Sequence, residues 1–395
     1  MKSPEKLLQA LLPELVEFRR DIHRHPEPGY AEYRTSGKVA ERLKKTGKFQ
    51  ISTGIAQTGL IATLCADKPG IGVAFRADMD CLPITEASDK PHVSQNPGYM
   101  HACGHDGHTT CLLGAALMLA RLEDRLRGPV KFIFQPAEEE GAGGKAMAEA
   151  GALKDPEVDM IFGLHGWPKL ELGAIAYISG PMTANADRFD IQVRGRGGHA
   201  AFPHDAVDPI PICSQVVTAL QSLTTPTLSG AERTVVTVTR ISGGTAYNII
   251  PDTVTLSGTI RTLTRKSQRL VFDRIESLAI ETAQSMGGTA RVEIRRGYPA
   301  LVNHPKAVQY LVDTLAKSTE FEPVLHPMEP TMVGEDFAYF ALEKPACFFA
   351  LGLTPKGERN PPLLHQAHFD FNDDALPIGA LCFAELALNF WEGGL

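Results

Sequence analysis

Apolar residues recur along this chain at two spacings, one typical of helices and one typical of buried strands. Residues 5–25 carry leucine, phenylalanine and isoleucine mostly three and four positions apart, which predicts an amphipathic helix. Four later runs are short, apolar and uninterrupted, as in strands that are buried on both faces. These runs are Ile71–Phe75, Val130–Phe134, Met160–Leu164 and Cys347–Leu351. Helical stretches separate them, so the pattern predicts an α/β sheet with helices packed on it.

The pattern changes between residues 187 and 297, where apolar and polar residues alternate. Strands are predicted at 188–194, 234–241, 253–260 and 290–295, and helices at 208–223 and 266–286. The resulting order, β-α-β-β-α-β, is typical of a ferredoxin-like unit. We therefore expect a ferredoxin-like α+β domain at 187–297, inserted into a larger α/β domain made of residues 1–186 and 298–395.

Charge and cysteine content narrow the class of protein. The chain has 395 residues and a formal net charge of -7, which offers no basic field for nucleic acid or anionic membranes. No run of 18 apolar residues is present, so we expect no membrane span. The seven cysteines are scattered and form no C-x-x-C pair, which favours free thiols in a reducing compartment, the cytoplasm.

The segment His101–His108 is the densest cluster of chemically active side chains. It contains three histidines, one cysteine and one aspartate within eight residues, and an apolar helical stretch follows at once. Cysteine and histidine are the preferred ligands of zinc and related metals, and a helix N-terminus favours the thiolate form of Cys103. A polar loop that merely caps the helix is the alternative, but the concentration of ligand types favours a metal site.

Three consecutive glutamates, Glu138 to Glu140, follow the run Val130–Phe134. Adjacent carboxylates point in different directions, so one could bind a metal while its neighbour holds the attacking water as general base. A solvated charge run is the alternative. The residues alone do not say which of the three glutamates takes which role.

Later histidines supply further ligand candidates. His165 directly follows the run Met160–Leu164, at a strand end beside the others. His365 and His368 form a late pair that the residues themselves do not rank.

Nine strings occur in a fixed order along nearly the whole chain: RADMD, HACGHDGH, FQPAEE, GLHG, GGHAAFPH, NIIPD, GTIRT, GEDF and LHQAHFDFNDDALPIGA. In these strings the chain resembles the aminoacylase and carboxypeptidase-G superfamily of dinuclear metallopeptidases. The resemblance is strongest to its amidohydrolase subgroup, which includes hippurate hydrolases, N-acyl-amino-acid amidohydrolases and auxin-conjugate hydrolases. It implies a large zinc-peptidase-like α/β catalytic domain with an inserted lid or dimerisation domain.

The resemblance implies two divalent metal ions per chain, with Cys103 as the ligand that bridges them. His105 and His165 would complete one site, and Glu139 and His365 the other. Where the family usually has Ser-Pro or Asn-Pro after the last ligand histidine, this chain has Gln366-Ala367, so His368 stays a competitor. Zinc, manganese, cobalt and nickel all suit such a ligand set.

The same resemblance implies roles beside the metals. Glu138 would be the general base: the triple glutamate allows the registers 138/139 and 139/140 for base and ligand, and the preceding Gln135-Pro136-Ala137 matches the first. His199 of GGHAAFPH would polarise the scissile carbonyl. Asn248 of NIIPD and Arg261 of GTIRT would bind the substrate, because a guanidinium can fork onto a carboxylate. Asp78 of RADMD would orient a ligand histidine.

The expected activity is hydrolysis of the amide of an N-acyl amino acid, a small-molecule substrate, to a carboxylate and a free amino acid. A dipeptidase or carboxypeptidase of the same superfamily is the nearest alternative. A metal-binding protein without catalysis is the alternative from another class, and the presence of a base, Glu138, argues against it. The resemblance also suggests a homodimer or a higher homo-oligomer.

Overall fold

The computed structural model describes residues 3–224, 233–319 and 323–391. The chain forms two compact units. The first contains Met1–Gly180, Val302–Glu329 and Asp336–Leu395, and the second contains Pro181–Leu301 and Pro330–Glu335. The boundaries expected from the sequence, at residues 187 and 297, lie a few residues inside the second unit and stay a prediction for the domains.

Sixteen strands are found in the described residues. They are β1 (Phe49–Ile55), β2 (Gly59–Leu64), β3 (Gly72–Asp78), β4 (Val130–Gln135), β5 (Val158–Glu171), β6 (Ala174–Tyr177), β7 (Gly180–Thr183), β8 (Asp187–Arg194), β9 (Gly198–His199), β10 (Thr234–Gly243), β11 (Ile249–Ile250), β12 (Thr253–Thr262), β13 (Thr289–Arg295), β14 (Leu301–Asn303), β15 (Val324–Pro327) and β16 (Ala346–Thr354).

Nine α-helices lie in the same residues. They are α1 (Pro4–Arg24), α2 (Tyr33–Lys44), α3 (His105–Ala120), α4 (Gly143–Glu149), α5 (Pro209–Leu220), α6 (Arg265–Ser285), α7 (Pro305–Leu315), α8 (Ala338–Ala341) and α9 (Leu376–Asn389). Short 3-10 turns are found at Glu123–Arg125, Pro203–Asp205, Gln221–Thr224 and Asp373–Ala375.

The first unit is built on an eight-stranded mixed sheet in the order β1-β2-β4-β3-β5-β16-β6-β15. Its central strands β4, β3, β5 and β16 are parallel to one another. Every residue of β3, β4 and β16 is buried, as their uninterrupted apolar sequences require. Neighbouring parallel strands end at one edge of a sheet, so the residues that follow β3 and β4 lie close together there.

Helix α3 is the central helix of this unit. All of its residues are buried, and it packs against α1, α9 and the sheet. Because it is buried on every side, α3 holds its first turn in a fixed position relative to the strand ends.

The second unit contains a four-stranded antiparallel sheet in the order β10-β12-β8-β13. Along β8 buried residues alternate with more exposed ones, so Phe189, Ile191 and Val193 enter one core with apolar residues of α5 and α6. The strand order, together with the chain order β-α-β-β-α-β, is ferredoxin-like.

The fold class expected from the sequence is therefore confirmed: the chain has a large α/β domain and a ferredoxin-like α+β unit. One strand end was wrong. Strand β5 does not stop before His165 but continues to Glu171, because its pairing with β16 carries on past His165. His165 thus lies within a strand instead of following one.

Candidate metal centre

The ligand-type side chains of the first unit named here come from three separate elements and the turns beside them. His105 is the first residue of α3, and Cys103 lies in the turn before it. Glu138 and Glu139 follow β4, and His165 lies in β5. The turn before α3 depends on Gly104, whose φ of 86° is strained for any residue with a Cβ.

Cys103 belongs to two groups of possible ligands. One group is Cys103, His105 and His165, and the other is Cys103, Glu139 and His365. Within each group the ligand atoms lie within 4.8 Å of one another. The Cys103 sulfur lies 3.4 Å from His165 Nε2 and 3.3 Å from His365 Nε2. A single thiol thus lies between two sets of nitrogen and oxygen atoms.

These distances fit a metal centre. A tetrahedral zinc ion holds a thiolate sulfur and an imidazole nitrogen about 3.5 Å apart, close to both sulfur–nitrogen distances here. Two buried ligand atoms, His105 Nε2 and Glu139 Oε1, lack a hydrogen-bond partner among the described residues. They lie 3.9 Å apart. Buried polar atoms are rarely left unpaired, and a cation in each ligand group would account for both of these atoms.

The electrostatics of the centre also favour a cation. Burial raises the pKa of the Cys103 thiol well above its usual value, and the nearby Glu139 and Glu138 raise it further. Burial opposes the protonation of His105, but Asp78 and Asp80 outweigh that effect and raise its pKa to about 10. A thiol in such surroundings becomes a thiolate only when a metal stabilises the charge.

Two carboxylates of the RADMD string lie behind these ligands. Asp80 Oδ1 lies 3.1 Å from His105 Nδ1, and Asp80 Oδ2 accepts a hydrogen bond of 3.0 Å from the backbone N–H of Glu139. Asp80 therefore fixes one residue of each ligand group. Asp78 instead lies 2.7 Å from His108 Nδ1, and its Oδ2 is 3.7 Å from His105 Nε2.

The histidines of the HACGHDGH string differ in their free nitrogens. The ring of His108 donates from Nδ1 to Asp78 and accepts at Nε2 from the N–H of Gly166, at 2.7 Å. Neither of its nitrogens is left for a metal. His165 donates from Nδ1 to the carbonyl of Gly166, at 2.8 Å, which leaves its Nε2 facing Cys103. His101 is buried, and burial lowers its pKa to about 4.

The sequence left two choices open, His365 or His368 as ligand and 138/139 or 139/140 as base and ligand. The members of each choice have different surroundings in the structure. His365 lies 3.4 Å from Glu139 Oε1, and its backbone N–H donates to the carbonyl of Ala102. His368 is exposed and enters none of the ligand groups found among the described residues. Glu138 is buried and Glu139 is partly buried, whereas Glu140 is exposed and is likewise absent from those groups.

His199, Asn248 and Arg261 lie in the second unit. Strands β9 and β11 form a two-stranded ribbon in which Ile249 pairs with His199, and the carbonyl of Asn248 accepts from the N–H of Ala200. The ribbon thus makes His199 and Asn248 neighbours, and both are exposed. His199 Nδ1 accepts from the N–H of Ala201 at 3.1 Å, so Nε2 carries the proton of the neutral ring.

Arg261 lies on β12 and is half-buried. Its guanidinium donates to the carbonyls of Ile260, at 3.0 Å, and Asp187, at 3.4 Å. Burial lowers the pKa of Arg261, and the nearby Asp187 opposes that effect.

Comparison with known proteins gives the family. The model of the peptidase family M20/M25/M40 matches residues 74–389. The chain belongs to this peptidase family. It is 37% identical over 381 residues to thermostable carboxypeptidase 2 of Saccharolobus solfataricus, covering 95% of each chain. It is 35% identical over 378 residues to N-acetylcysteine deacetylase of Bacillus subtilis, covering 96% of this chain and 97% of the relative.

The fold of the family is the same in solved structures. The Bacillus subtilis YXEP protein, described as a dinuclear metal-binding peptidase of family M20, superposes with a TM-score of 0.84 at 33% identity. The match covers 97% of this chain and 99% of that one. As a member of this family the chain is a metal-dependent hydrolase. None of the helices in its described residues has the length and apolar character to cross a membrane.

Sequence reasoning did not assign roles to Asp80, His108 or Asp336. Asp80 and Asp78 lie two residues apart, and only the contacts of the folded chain tell which one meets His105 Nδ1. A signal for Asp80 was present in RADMD, since a strand that continued through the string would direct both carboxylates to the same side, although β3 itself ends at Asp78.

Proposed function

We propose that this member of the family hydrolyses the amide bond of N-acyl amino acids with two divalent metal ions. The observation that carries the proposal is the position of the Cys103 sulfur between two groups of ligands. The names of two relatives support it, since one is an N-acetylcysteine deacetylase and another a dinuclear metal-binding peptidase.

In this proposal one ion is held by Cys103, His105 and His165, and the other by Cys103, Glu139 and His365. The unpaired buried atoms of His105 and Glu139 support these assignments. Bound divalent ions would supply a lowered pKa for water and polarisation of the acyl oxygen. Zinc, manganese, cobalt and nickel remain open, because all four accept cysteine, histidine and glutamate ligands.

The protein side chains do the remaining work. Glu138 takes the proton of the attacking water and later returns it to the leaving amine. The Nε2–H of His199 donates to the oxygen that becomes negative in the transition state. Asn248 and Arg261 bind the carboxylate of the amino-acid part. Asp78 orients a ligand histidine indirectly: it holds the ring of His108, whose Nε2 accepts from the N–H of Gly166, the residue after His165.

A carboxypeptidase or dipeptidase is the second candidate. The 37% identity to thermostable carboxypeptidase 2 over 95% of both chains favours it, since its substrate would also carry a free carboxylate beside the scissile amide. The two candidates differ only in what stands on the acyl side, a simple acyl group or an amino acid.

The deciding experiment is a hydrolysis assay with metal-reconstituted protein. N-acetyl and N-benzoyl amino acids are compared with dipeptides that have the same C-terminal residue. We expect higher kcat/KM on the N-acyl amino acids, loss of activity with a chelator, and a kcat that is about 10²–10⁴-fold lower in Glu138→Gln. Faster turnover of the dipeptides selects the second candidate, and turnover that survives extensive chelation contradicts both.

We further place the enzyme as a homodimer or a higher homo-oligomer. Strand β10 is an edge strand of the four-stranded sheet and is mostly exposed, which makes it a pairing surface. Light scattering after gel filtration measures the mass. Mixing His199→Ala with Glu138→Gln then asks whether His199 acts on its own chain. Regained activity means that the partner chain provides it, and an inactive mixture means that each chain uses its own.

We assign the enzyme to the cytoplasm. All seven cysteines are unpaired in the structure, and six of them are buried, which suits a compartment that keeps thiols reduced. Cell fractionation tests this assignment, and recovery of the protein outside the cytoplasm contradicts it.

A further inference from the structure

Asp336 is a buried carboxylate whose two oxygens are both engaged. It follows Glu335 in the GEDF string and has no exposed surface. Oδ1 accepts from the guanidinium of Arg76 at 2.9 Å and from Gln135 Nε2 at 2.8 Å. Oδ2 accepts from the backbone N–H of Gly144 at 2.7 Å and again from Gln135 Nε2, at 3.0 Å. Every one of these partners is a donor.

The partners of Asp336 lie at both ends of one loop. Gln135 is the last residue of β4, and Gly144 lies in the first turn of α4. We call residues 136–143 between them the acidic loop, because they include Glu138 and Glu139. The backbone N–H of Asp336 also donates to Glu138 Oε1, at 3.4 Å. One residue therefore bonds to both ends of the acidic loop and to one of its carboxylates.

Arg76 fixes Asp336 in turn. It has no exposed surface, and it donates to Asp78 Oδ2 at 2.8 Å and to Gln135 Oε1 at 2.7 Å as well as to Asp336. An arginine keeps its charge in proteins, so a buried guanidinium must keep its acceptors. The bond to Gln135 Oε1 also fixes the orientation of that amide, with its NH₂ towards Asp336.

We propose that Asp336 is a positioning residue that holds the acidic loop by both ends and so sets the places of Glu138 and Glu139. The inference rests on the proposed function for the roles of those two glutamates, but the restraint of the loop does not depend on it. Asp336 acts through the loop, because its own oxygens are already occupied by donors.

Asp336→Asn is the first test, since it keeps the volume and changes only one oxygen. Whichever way the new amide turns, its NH₂ faces a donor, either Arg76 or the N–H of Gly144. The hydrogen bond that the charged carboxylate accepted from that donor is then lost. In metal-free protein we expect amide hydrogen exchange of residues 137–144 to accelerate roughly 10- to 100-fold.

The metal-loaded enzyme gives a second readout. The affinity for the metals should fall about 10- to 100-fold, the usual result of changing a residue that positions a ligand without itself binding the metal. At saturating metal kcat should fall while KM stays within about twofold, because a displaced base affects the chemical step more than substrate binding.

Gly144→Ala provides a variant that leaves every charge in place. A Cβ at position 144 would lie 2.7 Å from the carbonyl oxygen of Asp336 and 2.9 Å from its Oδ1, so Asp336 must move away from the loop. If Asp336→Asn does not fold, this variant carries the test alone. We expect the same accelerated exchange over residues 137–144.

Asn303→Ala is the matched control. Asn303 is also fully buried and binds the backbone of Phe348 through both ends of its amide, but these contacts lie outside the acidic loop. Its removal should lower overall stability without selective exchange in residues 137–144. Unchanged exchange in both test variants, or equal acceleration in the control, overturns the proposal. A wild-type protein without hydrolytic activity contradicts the proposed function but leaves the exchange result valid.

Discussion

Glu32 should make the stability of the protein depend on pH, and Glu32→Gln should remove that dependence. Glu32 has no exposed surface, and burial raises its pKa from 4.5 to about 7. In the unfolded chain the same group ionises near 4.5. The folded state therefore binds an extra proton between these values, and stability is lost as the pH rises from 4.5 through 7. A difference of about 2.5 pKa units corresponds to roughly 3 kcal/mol.

The glutamine variant should fold with the same contacts. Glu32 Oε1 accepts from the N–H of Ala137, at 2.8 Å, and Oε2 accepts from the hydroxyl of Thr58. A glutamine oxygen can accept from Ala137, and its NH₂ can donate to Thr58, because a hydroxyl can also accept. Glu32→Gln should thus be more stable than the wild type at pH 8. The side chain at this position should then contribute almost no pH dependence to the free energy of unfolding between pH 5 and 8.

Denaturant unfolding of metal-free protein at pH 5, 6, 7 and 8 measures the effect. Chelator is kept in every sample, so that metal binding does not add its own pH dependence. Glu358→Gln, which changes an exposed carboxylate, is the control and should follow the wild type at every pH. Parallel curves for Glu32→Gln and the wild type would show that Glu32 ionises alike in the folded and unfolded chain, and the reasoning would be refuted.

Substitutions should distinguish four roles: the ligand shared by both metal ions, a ligand of one ion, the general base, and a residue that binds the substrate. Cys103→Ala should lose most of both metal ions by elemental analysis, whereas Cys111→Ala, buried within α3, should keep them. Glu138→Gln should keep its metals yet lose about 10²–10⁴-fold in kcat, as expected for a general base. Glu139→Gln should instead lose metal, and the reverse result would exchange the two assignments. If Arg261 binds the substrate carboxylate, an N-acyl amino acid should exceed its amide in kcat/KM by about tenfold or more; equal values would remove Arg261 from that role.

The parts of the fold that the sequence predicted are those that depend on local pattern. The four uninterrupted apolar runs correspond to β3, β4, β5 and β16, because strands that are buried on both faces carry apolar residues at successive positions. The alternation between residues 187 and 297 corresponds to the ferredoxin-like unit, because strands with one buried face alternate apolar and polar residues. The end of β5 was wrong, since Gly166 and Trp167 carry no strand pattern and extend the strand only through pairing with β16.

Contacts between distant parts of the chain were beyond sequence reasoning. Asp336 lies 201 residues after Gln135, and no periodicity links the two positions. The string GEDF contributed to the family resemblance but gave no reason for its aspartate. That reason appears only when the N–H of Gly144 and the guanidinium of Arg76 are seen to point at the same carboxylate.

His105 and His108 show most clearly that sequence composition does not distinguish a metal ligand from a histidine bonded within the protein. Three residues apart on α3, they lie on one face of the helix, with ring centres 5.4 Å apart, so spacing alone makes both of them possible ligands. The difference lies in the second nitrogen of each ring. At His108 both nitrogens are used within the protein, by Asp78 and by the N–H of Gly166. At His105 only Nδ1 is used, by Asp80, and the buried Nε2 is unpaired. Between these two histidines the ligand is therefore distinguished by the ring nitrogen that the fold leaves without a hydrogen bond, and no count of histidines in the sequence contains that information.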